Sequence, residues 1–80
     1  MNEMSRLRWR CRRGMKELDV VLEGYLARHF DKASPEDRTA FEALLDLPDP
    51  ELLYLLTGRS QPVDAAQARV VEILRRTAHS

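Results

Sequence analysis

The chain has 80 residues, 44% hydrophobic and 32% charged, with thirteen basic and thirteen acidic side chains that cancel to zero net charge. This composition is ordinary for a folded domain and too apolar for a disordered tail, and the length predicts one domain over 1–80 with its core over about 5–77 and frayed ends. It excludes a cleft between two domains and a membrane span, which needs roughly 20 apolar residues, because the longest apolar run covers only residues 52–56.

Helix signals recur along the chain, while strand signals are nearly absent, with no alternating β-branched run and no Asn-Gly or Asp-Gly hairpin turn. A first helix is predicted over about 3–12, carrying Leu7 and Trp9 among arginines. A second is predicted over about 15–30, with Leu18, Val21, Leu22, Tyr25, Leu26 and His29 on one stripe. The third has a legible start: Ser34 caps it, Pro35 takes the first helical position, and Glu36 and Asp37 suit the positive end of the dipole. Its apolar face is Ala40, Phe41, Leu44 and Leu45, and it ends before Pro48.

Asp49-Pro50-Glu51 repeats that cap for a fourth helix, which stops at Thr57-Gly58. This helix is apolar almost all round, so the expectation is that it is the most buried element. Asp64 caps the fifth helix, with Gln67 completing a capping-box pattern. Val70, Ile73, Leu74 and Thr77 are expected inside, and Arg69, Glu72, Arg75 and Arg76 in water. The predicted fold class is all-α, a small five-helix bundle.

The charges are segregated along the chain. Residues 1–16 carry a formal +5, residues 17–51 carry −7, and residues 52–80 carry +2. Such asymmetry predicts at least one face of single sign, which steers a partner's approach. The lone cysteine, Cys11, rules out an internal disulfide and fits a reducing compartment. The N-terminus lacks the apolar stretch of a secretory signal, so the expected location is the cytoplasm.

Side-chain catalysis finds little footing. His79 lies at the terminus, and His29 at the end of the second helix, where an imidazole meets the dipole favourably. Cys11 lacks a second cysteine or a histidine at ligand spacing, so no metal site is expected. Its arginine neighbours would lower a thiol's pKa, but the preferred account is simple packing of a small half-buried apolar residue. Asp46 and Asp49 are explained by capping and loop solvation. No glycine-rich phosphate loop exists, and the chain is expected not to be an enzyme and to hold no cofactor of its own.

The most unusual stretch is residues 6–14, arginines interleaved with Leu7, Trp9 and Cys11. Arginines with one aromatic suggest nucleic acid. Against that stand the acidic residues that follow and an isoelectric point near 6.7, where nucleic-acid domains usually exceed about 9. A protein partner bearing acidic residues fits better, since Arg and Trp dominate interface hot spots.

Arg13-Gly14-x-x-Glu17 admits two accounts. In the local one, Gly14 caps the second helix, Glu17 bonds back to the Gly14 amide, and Arg13 pairs with Glu17 four residues on. In the other it is a recognition corner, where Gly14 lets another backbone approach and the flanking charges make contacts. Spacing does not choose between them.

The run Trp9-Arg10-Cys11-Arg12-Arg13-Gly14-Met15-Lys16-Glu17-Leu18-Asp19 closely resembles the W-x-C-R-R-G-x-x-E-L-D segment of the SdhE family, the FAD assembly factors of succinate dehydrogenase. Asp49-Pro50-Glu51-Leu52 is similar to that family's D-P-D-L stretch, and the resemblance covers residues 6–77. One departure is Leu55, where the family commonly places a tryptophan.

The resemblance implies a non-enzymatic chaperone that binds the flavoprotein subunit of succinate dehydrogenase, and also that of fumarate reductase. It would promote covalent attachment of FAD to a histidine of that subunit, with the FAD carried by the flavoprotein. It further implies partner-binding residues Arg13, Gly14 and Glu17, with Arg8, Trp9, Met15 and Asp19 beside them. The expected protein is a monomer that neither binds nucleic acid nor inserts in a membrane. Rival classes are an antitoxin-like regulator, which would co-purify with a toxin, and a nucleic-acid-binding module, which would shift RNA or DNA with steep salt dependence.

Overall fold

The computed structural model describes residues 2–79, without the His79 side chain, so the expected fraying of the outermost residues lies outside the described residues. Five α-helices follow in order: α1 (Glu3–Arg10), α2 (Lys16–Arg28), α3 (Pro35–Leu45), α4 (Asp49–Thr57) and α5 (Ala65–His79), with a 3-10 turn at Phe30–Lys32. The all-α bundle is as expected.

α1 begins where the Asn2 side chain accepts a hydrogen bond from the Ser5 amide at 2.8 Å. It ends two residues before the predicted point, because residues 11–13 turn away to meet α2. α2 stops at Arg28, not at Phe30 as predicted, and the chain tightens into the 3-10 turn. The Arg38 guanidinium holds that turn, donating to the carbonyls of Phe30 at 3.0 Å and Asp31 at 2.8 Å. Ser34 caps α3 as predicted, accepting from the Asp37 amide at 3.2 Å.

The core is one cluster from every helix, with α2 giving five side chains: Leu18, Val21, Leu22, Tyr25 and Leu26. The Phe41 ring stacks on Tyr25 at 4.5 Å between centroids and meets Phe30 edge-on at 5.8 Å. α5 packs against α2, α3 and α4. Within α2, a Cβ on Gly24 would stand 3.4 Å from the Thr77 methyl group, so glycine here allows close helix–helix approach.

α4 is not the most buried helix. Only Leu52 and Leu55 are buried, Leu53 and Leu56 are half-buried, and Tyr54 is 42% exposed. Consecutive apolar residues step around the helix by about 100° each, so a helix at the edge of the bundle must turn some of them outward. α4 ends as predicted in the left-handed conformation at Gly58, φ +85°.

At α5 the Asp64 carboxylate accepts from the Gln67 amide at 2.8 Å, as expected of a cap. The Gln67 side chain reaches one residue further back than a capping box requires, accepting from the Val63 amide at 2.9 Å. Val70, Val71 and Leu74 are buried, whereas Ile73 and Thr77 are half-buried. Arg75, expected in water, is also half-buried, and donates from Nε and Nη2 to the Leu55 carbonyl at 3.2 and 2.7 Å. The last carbonyls of a helix lack intrahelical partners and accept such a cation readily.

Candidate functional site

The segment between α1 and α2 is fastened at both ends of Arg13. Its backbone amide donates to Asp19 Oδ1 on α2 at 2.6 Å. Its side chain, only 11% exposed, reaches the α3–α4 connection. There Nε donates to Asp49 Oδ1 at 2.5 Å, Nη1 to the Leu45 carbonyl at 2.9 Å, and Nη2 to the Leu47 carbonyl. A buried guanidinium needs this saturation by charge and acceptors. Leu45 ends α3 and Asp49 opens α4. One cation therefore serves a helix C-terminus while its carboxylate partner sits at a helix N-terminus, both favourable to the dipoles.

A second latch lies one turn away. Arg10 Nη2 donates to Asp46 Oδ1 at 2.5 Å and to the Glu42 carbonyl at 3.5 Å. Capping and solvation therefore do not account for Asp49, whereas Asp46 holds the C-cap position of α3 with a largely solvated side chain and pairs with Arg10 besides. Asp49 is not the cap of α4: that position belongs to Pro48, with no side-chain hydrogen bond. A guanidinium is a stronger partner for the carboxylate than a neutral amide.

These latches, with the longer Arg12–Glu23 pair at 3.8 Å, set the basic N-terminal block against the acidic middle. Three of the six basic residues of the first block thus pair with three of the ten carboxylates of the second. Of the N-terminal block, Arg6, Arg8 and Lys16 form no ion pair among the described residues.

Gly14 follows Arg13 with φ +88°, backbone that favours glycine. A Cβ built there meets nothing within 4 Å, so the space above the turn is open. The local account of Arg13-Gly14-x-x-Glu17 fails on each bond it requires. The cap of α2 is Met15, without a side-chain hydrogen bond, which puts Glu17 at the second helical position. Arg13 pairs with Asp49 and not with Glu17. Glu17 is exposed and, among the described residues, is held by no hydrogen bond or ion pair. It stands at the rim of an open groove of about 520 Å3 between α2, α4 and α5, whose apolar walls include the half-buried Leu53 and Leu56.

The seven anticipated partner-binding residues thus divide. Gly14, Glu17, Arg8 and Trp9 face outward; Trp9 is 68% exposed, with the Arg12 guanidinium 5.9 Å from its ring centre. Arg13 and Asp19 are turned into the protein and bonded, and Met15 packs against the core. Asp46 and Asp49 were the residues missed as arginine partners. Their spacing of three, matching that of Arg10 and Arg13, was the available signal.

Cys11 is fully buried, and burial first, then the Glu23 charge, pushes its thiol up to about 11. It is a packed residue and not a reactive thiolate. His29 ends α2, its amide donating to the Tyr25 carbonyl at 2.8 Å and its ring 5.6 Å from the Tyr25 ring. Among the described residues no three His, Cys, Asp or Glu side chains are grouped to hold a metal ion, and no helix is long and apolar enough to cross a membrane.

Comparison with known proteins places the chain in a family. The family described as "flavinator of succinate dehydrogenase" matches residues 5–78. A protein of Methylococcus capsulatus named FAD assembly factor SdhE is 47% identical over 75 residues, covering 94% of this chain and 90% of its own. Proteins of the same name from Vibrio vulnificus and Pectobacterium atrosepticum are 39% and 32% identical, covering 88% and 94% of this chain and 81% and 85% of theirs. With α2, α3 and α4 wholly and α1 and α5 nearly wholly inside the matched region, the chain belongs to the SdhE family of FAD assembly factors.

Proposed function

We propose that this chain binds the flavoprotein subunit of succinate dehydrogenase, and also that of fumarate reductase, and promotes covalent attachment of FAD to a histidine of that subunit. It acts as an assembly chaperone and not as an enzyme. The FAD belongs to the flavoprotein, and this chain holds none stably. It works as a cytoplasmic monomer, without nucleic acid or membrane insertion. Membership of the family supports the partner class, and the docking surface rests on one observation: an open glycine turn beside an unpaired carboxylate, Glu17, on a backbone fastened from behind.

The physical effect is orientation. Holding the flavoprotein so that its histidine faces the flavin turns a rare encounter into a standing arrangement. The chain can do this only by binding the unfinished subunit more tightly than the finished one.

Glu17→Ala tests the surface, since it removes a side chain that makes no hydrogen bond or ion pair among the described residues. Its favourable place in the first turn of α2 counts for only about a few tenths of a kcal/mol, the low end for an exposed site. The variant is expected to melt like wild type and to slow flavinylation about tenfold, the size of a single interface hot spot. A normal rate in the folded variant would show that this ridge is not where the flavoprotein docks. Gly14→Arg and Gly14→Ala carry the same backbone strain, but only arginine fills the open space. Arginine is expected to abolish binding that alanine keeps.

A further inference from the structure

We propose that Asp49 is a positioning residue for the docking ridge: acting through the Arg13 side chain, it fixes where Gly14 and Glu17 stand. The proposal rests on the docking role given above to that ridge. It explains how an arginine whose guanidinium faces inward can still govern an outward surface.

Gly14 has little to hold it in place by itself. Nothing lies within 4 Å of where its Cβ would be, and its left-handed backbone has no side chain to brace it. Its neighbours supply the restraint. On one side Met15 packs against the core. On the other, Arg13 is gripped by Asp19 at its amide and by Asp49, Leu45 and Leu47 at its guanidinium.

Of the guanidinium's partners only Asp49 carries charge, and it is two-thirds withdrawn from water. The two carbonyls alone leave a buried cation uncompensated, which favours its escape to solvent. Once Arg13 leaves, the connection loses its tie to α3 and α4, and the glycine turn gains the freedom that glycine allows. The chain therefore divides the work: Arg13, Asp19 and Asp49 hold, while Gly14 and Glu17 are presented.

The test uses the whole chain in the variants Asp49→Ala, Asp49→Glu, Arg13→Ala, Arg13→Ala/Asp49→Ala and Glu17→Ala/Asp49→Ala. The first readout needs no partner: amide hydrogen exchange of residues 14–17 against that of α5 core residues Val70, Val71 and Leu74. Asp49→Ala is expected to speed exchange at 14–17 about tenfold more than at the α5 core, and Asp49→Glu to restore protection. Equal acceleration at both places would show a general loss of stability and overturn the proposal.

The second readout is affinity for the purified, FAD-free flavoprotein subunit. Asp49→Ala is expected to weaken binding about tenfold, to add nothing once Arg13 is alanine, and to multiply with Glu17→Ala. Full multiplication with Arg13→Ala would overturn the proposal. Should Asp49→Ala not fold, Asp49→Asn, which keeps the side chain's shape and removes its charge, is read in the same way. If wild type itself fails to bind the flavoprotein, the docking role falls, while the exchange measurement still decides whether Asp49 positions the turn.

Discussion

Two of the arginine–aspartate pairs that join distant parts of this chain, Arg69–Asp37 and Arg13–Asp49, differ in surroundings more than in chemistry. Arg69 on α5 meets Asp37 on α3 with a forked arrangement, Nη2 to Oδ1 at 2.8 Å and Nε to both oxygens at 3.1 and 3.3 Å. Arg13 meets Asp49 through a single oxygen, but adds two backbone carbonyls. The Arg69 side chain is half in water, at 51% exposed, whereas that of Arg13 is 11% exposed. The better-looking fork is the weaker fastening, because solvent competes for one guanidinium and hardly reaches the other.

The largest effect should follow from breaking the buried pair. Arg13→Ala strands the Leu45 and Leu47 carbonyls and leaves Asp49 without its cation. A loss of about 2–3 kcal/mol is expected, below the range for a fully buried pair because Asp49 is partly exposed. Urea unfolding followed by circular dichroism measures it. A loss as small as that from Arg69→Ala would erase the distinction between the pairs.

The contrast also marks where the sequence could be read and where it could not. The caps at Ser34 and Asp64 and the stop at Gly58 were legible because each involves residues within a few positions of one another. The stripe of α2 was legible because it is flanked by polar residues on the other face. The exposure of Tyr54 was not, since a helix apolar all round does not announce which side its neighbours will cover. The inward turn of Arg13 was hidden for a similar reason: its partner lies 36 residues away, and spacing between neighbours carries no such information. The Arg13-Gly14-x-x-Glu17 pattern thus joins residues that face opposite ways, Gly14 and Glu17 outward and the Arg13 guanidinium inward.

Cys11 sits in the same segment as the buried clamp and tests how dry that region is. Its thiol is raised from 9.0 to about 11, chiefly by burial. A group whose folded pKa is raised adds stability in full below its unfolded value and loses it as pH climbs through the folded one. Stability should therefore fall between pH 9 and 11 by on the order of 2 kcal/mol, and Cys11→Ala should flatten that slope. Tyr25, raised by burial and by Asp37, falls off in the same direction and remains in the variant. Native protein should also resist iodoacetamide at pH 8 and react once unfolded; rapid native alkylation would mean that water enters beside the clamp.

Next in size come the two left-handed glycines. Gly14 and Gly58 share nearly the same φ, +88° and +85°. Alanine at either should cost about 1 kcal/mol through backbone strain. Binding to the flavoprotein should survive alanine at either position and be lost only to Gly14→Arg, which fills the open space above the turn. Equal binding losses at the two glycines would show that the response tracks stability and not the ridge.

The smallest effect should belong to Arg69→Ala. The Asp37 hydrogen bond holds the Arg69 guanidinium above its ordinary pKa, yet the side chain stands in water. Its Asp37 partner also lies in the first turn of α3, where a carboxylate is favoured by the helix dipole without any cation. Loss of Arg69 should lower the melting temperature by a few degrees at most, and the difference should shrink as salt rises to about 1 M, where the screening length is near 3 Å. The Arg13→Ala deficit should mostly persist at the same salt, because the Arg13 guanidinium is nearly buried and part of the loss is two stranded carbonyls, which salt does not screen. Salt dependence, more than the size of either loss, is therefore what separates a solvated pair from one built into the corner.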